Sequence, residues 1–316
     1  MPFAFLLHFF ILNMEGNIMN LAFIMQAVLA LGFLVTVLNV SNDILKNHKG
    51  ELYQASASKW VKCIGIGALC NFMDTLGIGS FAPTTFLYKA TGAGIDDLNL
   101  PGTLNVGDTF PVVFEAIIFI ASVECDPVFL VLMCVSAMLG SYAGAFVVTK
   151  WDRNPIRYAM SLFLGLTAVV MICKALAVGP FAMAGTEIGL TGGKLIAAVA
   201  ANFVFGALMD IGFGLYAPCM AFCVLLGVDL GACFPVFMGS CALLMPVNSL
   251  VFVKKSRYDV IGVIGNMVGG CFGVLFAWKV VTSMPVKVLT FVVAAVMVWT
   301  CYMMLRDAAK DKAAKA

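Results

Sequence analysis

Charge is scarce in this chain. Charged residues are 11% of its 316 residues and hydrophobic residues 62%, where a soluble domain has about 25% and about 45–50%. That balance, with a mean hydropathy of +1.02, excludes a soluble globular enzyme, a disordered protein and a nucleic-acid binder. A formal charge of +2 offers no surface for a polyanion. Histidine is nearly missing, with only His8 and His48, and no CxxC occurs among the 11 cysteines. Zinc-type spacings are therefore absent, and no cofactor is expected. The cysteines fall mostly in apolar runs, where a free thiol packs as a small hydrophobe. There is no Ser/His/Asp or Cys/His set and no Walker or dinucleotide fingerprint, so an enzyme is not expected. The segment Phe3–Leu12 lacks a basic region before it and a clear cleavage site after it, which predicts an interfacial or disordered lead-in rather than a signal peptide.

What is present is a series of apolar stretches long enough to cross a bilayer, each about 20 residues. The first is Ile18–Val40, followed by a polar loop at Ser41–Lys59. Others lie at about 60–90, 102–121, 127–149, 156–178, 193–226, 231–253, 258–281 and 285–306, before a charged tail. Two of them are too long for one span and are broken in the middle. One reads Met73-Asp74-Thr75-Leu76-Gly77-Ile78-Gly79-Ser80-Phe81-Ala82-Pro83, the other Met209-Asp210-Ile211-Gly212-Phe213-Gly214-Leu215-Tyr216-Ala217-Pro218. Gly77 and Gly212 are 135 residues apart, as are Pro83 and Pro218. Flanking matches follow in order: Val106-Gly107-Asp108 with Met238-Gly239-Ser240, Gly140 and Gly144 with Gly269 and Gly273, Pro155-Ile156-Arg157 with Pro285-Val286-Lys287. The chain therefore divides into an N-terminal segment with a first helix and basic loop (1–59), a first repeat (60–178), a linker (179–192), a second repeat (193–306) and a tail (307–316).

Loop charge sets the expected topology. Lys46, Lys49 and Lys59, then Lys150, Arg153 and Arg157, then Lys254, Lys255 and Arg257, then the tail, are basic; the loops at Glu124–Asp126 and Asp229 are acidic. If each stretch crosses once, the protein has nine transmembrane helices and the basic loops fall on both sides. If the two broken stretches enter and leave on one side, all basic regions share a side. The second arrangement predicts an all-α polytopic membrane protein of seven crossings and two re-entrant hairpins, with inverted repeats of the kind found in secondary transporters.

The broken segments carry the candidate chemistry. Gly77, Gly79, Gly212 and Gly214 allow tight turns at the tips. Free N–H groups where each outgoing half-helix begins would hold an anion. Ser80, Thr84, Thr85 and Tyr216 stand at or just after the tips, and Asp108 and Ser240 occupy matching places in the next span, with Glu115 seven residues after Asp108. Asp74 and Asp210 are intramembrane carboxylates, costly in lipid. Each is a candidate to carry a proton, to ligate sodium, or only to cap a half-helix. The glycine pairs Gly140/Gly144 and Gly269/Gly273 suit helix packing within the chain or in a homodimer.

The duplicated glycine-rich break, the trailing Gly-Asp or Gly-Ser and the late Pro-Ile-Arg or Pro-Val-Lys resemble the sulfite exporter TauE/SafE family over about residues 60–306. The resemblance implies a cytoplasmic-membrane secondary carrier for small sulfur-containing anions such as sulfite or sulfoacetate. The family's tips have richer glycine runs than Gly77-Ile78-Gly79-Ser80 and Gly212-Phe213-Gly214-Leu215, and its motif does not include the preceding aspartates. The expected partners are a small anion, the bilayer and a coupling proton or sodium ion; a passive anion channel on the same scaffold is the alternative.

Overall fold

A computed structural model describes residues 21–77, 79–178, 185–212 and 214–280, with isolated positions beyond 297. The expected lead-in, the last apolar stretch, its Pro285-Val286-Lys287 and the tail's ends lie outside the described residues. Among those described there are eleven α-helices and no strand. They are α1 (Leu21–Asp43), α2 (Lys49–Gln54), α3 (Ala57–Thr75), α4 (Phe81–Ala90), α5 (Leu100–Ser122), α6 (Pro127–Val148), α7 (Arg153–Leu176), α8 (Gly192–Met209), α9 (Tyr216–Leu226), α10 (Cys233–Lys254) and α11 (Val260–Val280).

Six described helices are long and apolar enough to cross a membrane. They present exposed apolar side chains such as Leu31, Leu38, Ile196, Phe272 and Phe276. Such a belt is costly in water and at rest in lipid, so the chain is a multi-pass helical membrane protein. The polar loop expected at Ser41–Lys59 is instead mostly helical. A π-helical turn (Ile44–His48) joins α1 to α2, and only Ala55 and Ser56 break the run before α3. Its polar residues are on the outside: Lys46, Lys49 and Glu51 are exposed while Ile44 is buried.

Contacts order the helix ends. At one end Lys59 Nζ meets Asp259 Oδ2 at 2.6 Å, Tyr258 bonds Asp43, and Arg257 donates to the carbonyls of Thr149 and Trp151 at 3.0 Å each. Asp97 takes Lys89 at 2.5 Å and Arg157 at 2.6 Å. Burial alone would raise the Asp97 carboxyl, but these two cations hold it below its ordinary value. This end gathers the basic segments at 46–59, 150–157 and 254–257. The opposite end joins Asp126 N–H to the Ile188 carbonyl (2.9 Å), pairs Glu187 with Val228, and sets Lys194 Nζ on the Leu226 carbonyl at 2.9 Å.

Both broken stretches turn back. α3 leaves the lysine-rich end, and at the far end of α4 Tyr88 bonds the Gly262 carbonyl and Asn266, the level at which Gly67 of α3 lies. α8 leaves the acidic end with Lys194, and α9 returns there at Leu226. α8 is long enough to span, yet the chain reverses after it.

Glycines set the helix spacing. A Cβ on Gly140 would lie 1.9 Å from the Phe203 carbonyl oxygen, on Gly206 2.2 Å from that of Ala137, on Gly269 2.0 Å from that of Ile64, and on Gly273 2.1 Å from that of Ala68. The two Gly-x-x-x-Gly faces are thus consumed inside the chain, α6 on α8 and α11 on α3, and are not free to build a homodimer. The ten described cysteines are free thiols, most of them buried as packing residues. We predict that Gly140→Ala costs about 1–3 kcal/mol, read as a lower thermal-unfolding midpoint in detergent. Gly65→Ala, where a Cβ meets nothing within 4 Å, should leave the midpoint unchanged or higher.

Candidate functional site at the two helix breaks

Each tip is built by local backbone chemistry. α3 ends with Gly77 N–H on the Asp74 carbonyl at 2.7 Å, and α8 with Gly212 N–H on the Met209 carbonyl at 2.9 Å. Gly77 (φ 74°), Gly79 (φ 94°) and Gly212 (φ 91°) occupy the left-handed region that side chains avoid. Gly214 does not, so its role is openness rather than turn geometry. Nothing lies within 4 Å of a Cβ on Gly79 or Gly214. Pro83 and Pro218 are the third residues of α4 and α9, where a missing N–H breaks no helical bond. Neither Ser80 nor Leu215, at the N-cap positions, supplies a side-chain cap. The first N–H groups of both half-helices keep their partial positive charge.

The tips share one small cavity of about 20 Å³, lined by Asp74, Gly79, Ser80, Phe81, Met209, Gly214, Leu215, Tyr216 and Met245. That is room for one water-sized group. Of the residues singled out in the sequence, Asp74, Gly79, Ser80, Gly214 and Tyr216 line it. Phe81 lines it too. Gly77 and Gly212 shape the turns behind it. Thr84 and Thr85 are buried in α4 away from the lining, with hydroxyls that have no hydrogen-bond partner among the described residues. Ser240 is not at the cavity; it accepts from Asn202 Nδ2 at 3.0 Å.

Three carboxylates gather around the first tip, and all are buried. Asp74 faces the polar groups of Ser80 and Tyr216 and feels the charge of Asp108. Asp108 accepts from Asn71 Nδ2 (3.1 Å), Ser80 Oγ (3.2 Å) and Asn266 Nδ2 (3.0 Å). Glu115 accepts from Thr75 Oγ1 at 2.7 Å and Tyr216 OH at 3.1 Å. Glu115 thereby joins the end of α3 to the tip of the other broken helix. No lysine or arginine lines the cavity.

Asp210 looks like Asp74 in the motif but sits differently. It is off the cavity, and its Oδ1 accepts from Ser141 Oγ at 3.0 Å and Asn248 Nδ2 at 2.7 Å. Asn248 also reaches Asn105 Oδ1 at 2.8 Å. Asp74 by contrast is set against the backbone N–H of Ser80, where α4 begins. The sequence reading missed Asn71, Thr75, Asn105, Ser141 and Asn266. The available signal was the asparagines inside apolar stretches, among them 71, 105, 202, 248 and 266, each a costly group that needs a partner. Among the described residues no three His, Cys, Asp or Glu side chains form a metal site.

The two aspartates should respond differently to truncation. Asp210→Ala leaves the Asn248 and Ser141 donors without their acceptor and is expected to cost about 1–3 kcal/mol. Asp74→Ala removes a carboxyl crowded by Asp108 and Glu115 and is expected to cost less. Thermal unfolding of both variants in one detergent checks this; equal losses would contradict it.

The chain matches no family model, no curated protein and no solved structure.

Proposed function

We propose that the protein is a secondary transporter that moves small sulfur-containing anions, such as sulfite or an organosulfonate like sulfoacetate, across the cytoplasmic membrane with a co-transported proton or sodium ion. The observation that carries this reading is the cavity shared by two broken helices that approach from opposite ends. Interrupted helices meeting at mid-depth are the binding plan of many secondary carriers.

An inverted duplication is supported by how the helices pack. α3 lies on α11 and α8 on α6; α5 lies beside α11 and α10 beside α6; α5 and α10 pack on each other. Exchanging α3 with α8, α5 with α10 and α6 with α11 returns the same set of neighbours. With the lysine-rich end toward the cytoplasm, the first hairpin enters from inside and the second from outside.

The choice of an anion rests on the N–H groups at the starts of α4 and α9 and on the resemblance to the TauE/SafE family. A sulfonate offers three acceptor oxygens to such donors. The choice of coupling rests on the acids. An anion beside Asp74, Asp108 and Glu115 is repelled by any of these acids that is ionised, and a proton or sodium ion taken up with the anion removes that repulsion, which favours a coupled carrier over a passive pore. The cavity, at about 20 Å³, must widen to admit a sulfonate, as alternating access requires. The anchors at the two hairpin bases, Lys89–Asp97–Arg157 and Lys194 on Leu226, are the contacts such a motion loads.

Proteoliposomes given labelled sulfite or sulfoacetate, with and without an imposed proton or sodium gradient, test the proposal. Saturable, gradient-driven accumulation is expected, and Asp74→Asn should lose the gradient dependence while remaining folded. Non-saturating flux without counterflow would mean a channel, and no flux of either compound would remove the sulfur assignment.

A further inference from the structure

We propose that Asp108, Ser80, Thr84 and Asn71 form a binding site for one small monovalent cation of the sodium class, next to the shared cavity. This names the coupling ion of the transporter proposed above and rests on that reading.

The site starts from one face of α4. Ser80, Thr84 and Tyr88 follow at four-residue intervals and so stack along the same side of the helix. The two outer members show where that side points. Ser80 Oγ bonds Asp108 Oδ2 at 3.2 Å. Tyr88 OH bonds Asn266 Oδ1 at 2.9 Å, and Asn266 Nδ2 bonds Asp108 Oδ1 at 3.0 Å. Thr84, between them, faces the same Asp108–Asn266 pair. The thiol of Cys70, a weak donor, lies beside Thr84 and sets it against the turn of α3 that carries Asn71.

Two oxygens there lack partners. Thr84 Oγ1 and Asn71 Oδ1 are fully buried and have no hydrogen-bond partner among the described residues. An orphaned buried acceptor is costly and rare. Asn71 spends its amide hydrogens on the Gly67 carbonyl (3.0 Å) and on Asp108 (3.1 Å), so its carbonyl oxygen is left over. Ser80 spends its hydrogen on Asp108 and keeps its lone pairs. The carboxylate of Asp108 thus has a serine hydroxyl bonded to it, and Asn71 and Thr84 near it each keep a buried oxygen without a partner.

That donor set selects the ion. All-oxygen ligands suit a hard cation and not a thiophilic one. A single negative charge balances a single positive charge; calcium and magnesium sites draw on more carboxylate or on substrate phosphates. The second half of the chain offers no equivalent. At the matching positions Asp108 is replaced by Ser240, Thr84 by Cys219 and Asn266 by Ala137, so one cation is expected per chain. Ser80 borders both the cation site and the anion cavity, which places the two charges side by side.

The test needs no substrate. The full chain, purified in detergent, is unfolded thermally while NaCl replaces choline chloride or KCl at constant ionic strength. Sodium should raise the midpoint saturably, and potassium and choline should not, because a ligand held only by the folded state stabilises it. Thr84→Val keeps the side-chain shape, and its half-saturating sodium should rise about tenfold or more. Thr84→Ser should restore the wild-type curve, and Asp108→Asn should abolish the response. A wild-type midpoint indifferent to sodium, or a Thr84→Val curve identical to wild type, overturns the site. Gradient-driven anion uptake together with a flat sodium titration would overturn the cation site and leave the transporter standing. A sodium response in a protein that moves no anion would do the reverse.

Discussion

A peptide group inside hydrocarbon must find its hydrogen bond within the protein, because no water is there to supply one. Two helices of this chain, α3 and α8, end at glycine turns enclosed by other helices, and the packing around them answers that constraint. The turns satisfy what they can locally, through Leu76 and Gly77 on the carbonyls of Met73 and Asp74, and through Ile211 and Gly212 on those of Leu208 and Met209. The remaining N–H groups need a protein sheath. α5, α6, α10 and α11 provide it, and they come close enough only because Gly140, Gly206, Gly269 and Gly273 let backbones touch. A glycine far from a tip is in this sense a condition for the tip.

The same sheath carries an uneven distribution of polarity. Asn71 and Asn266 donate to Asp108 beside the first hairpin, and Asn202 donates to Ser240, next to Cys134, beside the second. The first group is built on a carboxyl and the second on a hydroxyl. Asp74 keeps company with two more acids and a cavity, whereas Asp210 is tied to Ser141 and Asn248. The acids therefore collect at the first hairpin, and the second meets them through the Tyr216 hydroxyl on Glu115.

The fold was largely legible in the sequence, and the site only in part. Length and hydropathy placed the helices within a few residues, and the paired Asp-to-Ala-Pro breaks marked both reversals. Loop charge ordered the ends, since the contacts gather Lys59, Arg157 and Arg257 together as expected. The segment 41–59 was misread because its polar residues look like a loop, although they face outward from a helix anchored by Asp43 on Tyr258. The asparagine links were invisible for a different reason. Asn71 and Asp108 are 37 residues apart and Asn266 and Asp108 158, and a single sequence does not say which buried amide meets which acid. Asp74 and Asp210 share a motif, and their neighbours make them different: Ser80, Asp108 and Tyr216 for the first, Ser141 and Asn248 for the second.

Those neighbours also explain how two charges can be coupled across so small a space. Ser80 is at once the start of α4, a donor to Asp108 and part of the cavity wall. Any ligand that reorients its hydroxyl changes all three. Glu115 plays a similar part between the hairpins, because its two oxygens are held by Thr75 on one and Tyr216 on the other. Separating the hairpins strips both bonds from a buried carboxylate, which is unfavourable unless another positive charge or donor takes their place. Opening is therefore costly for the empty pair and cheaper for a pair carrying compensated charge. In a coupled carrier that difference is what discourages slippage, and here it follows from three side chains and the absence of water around them.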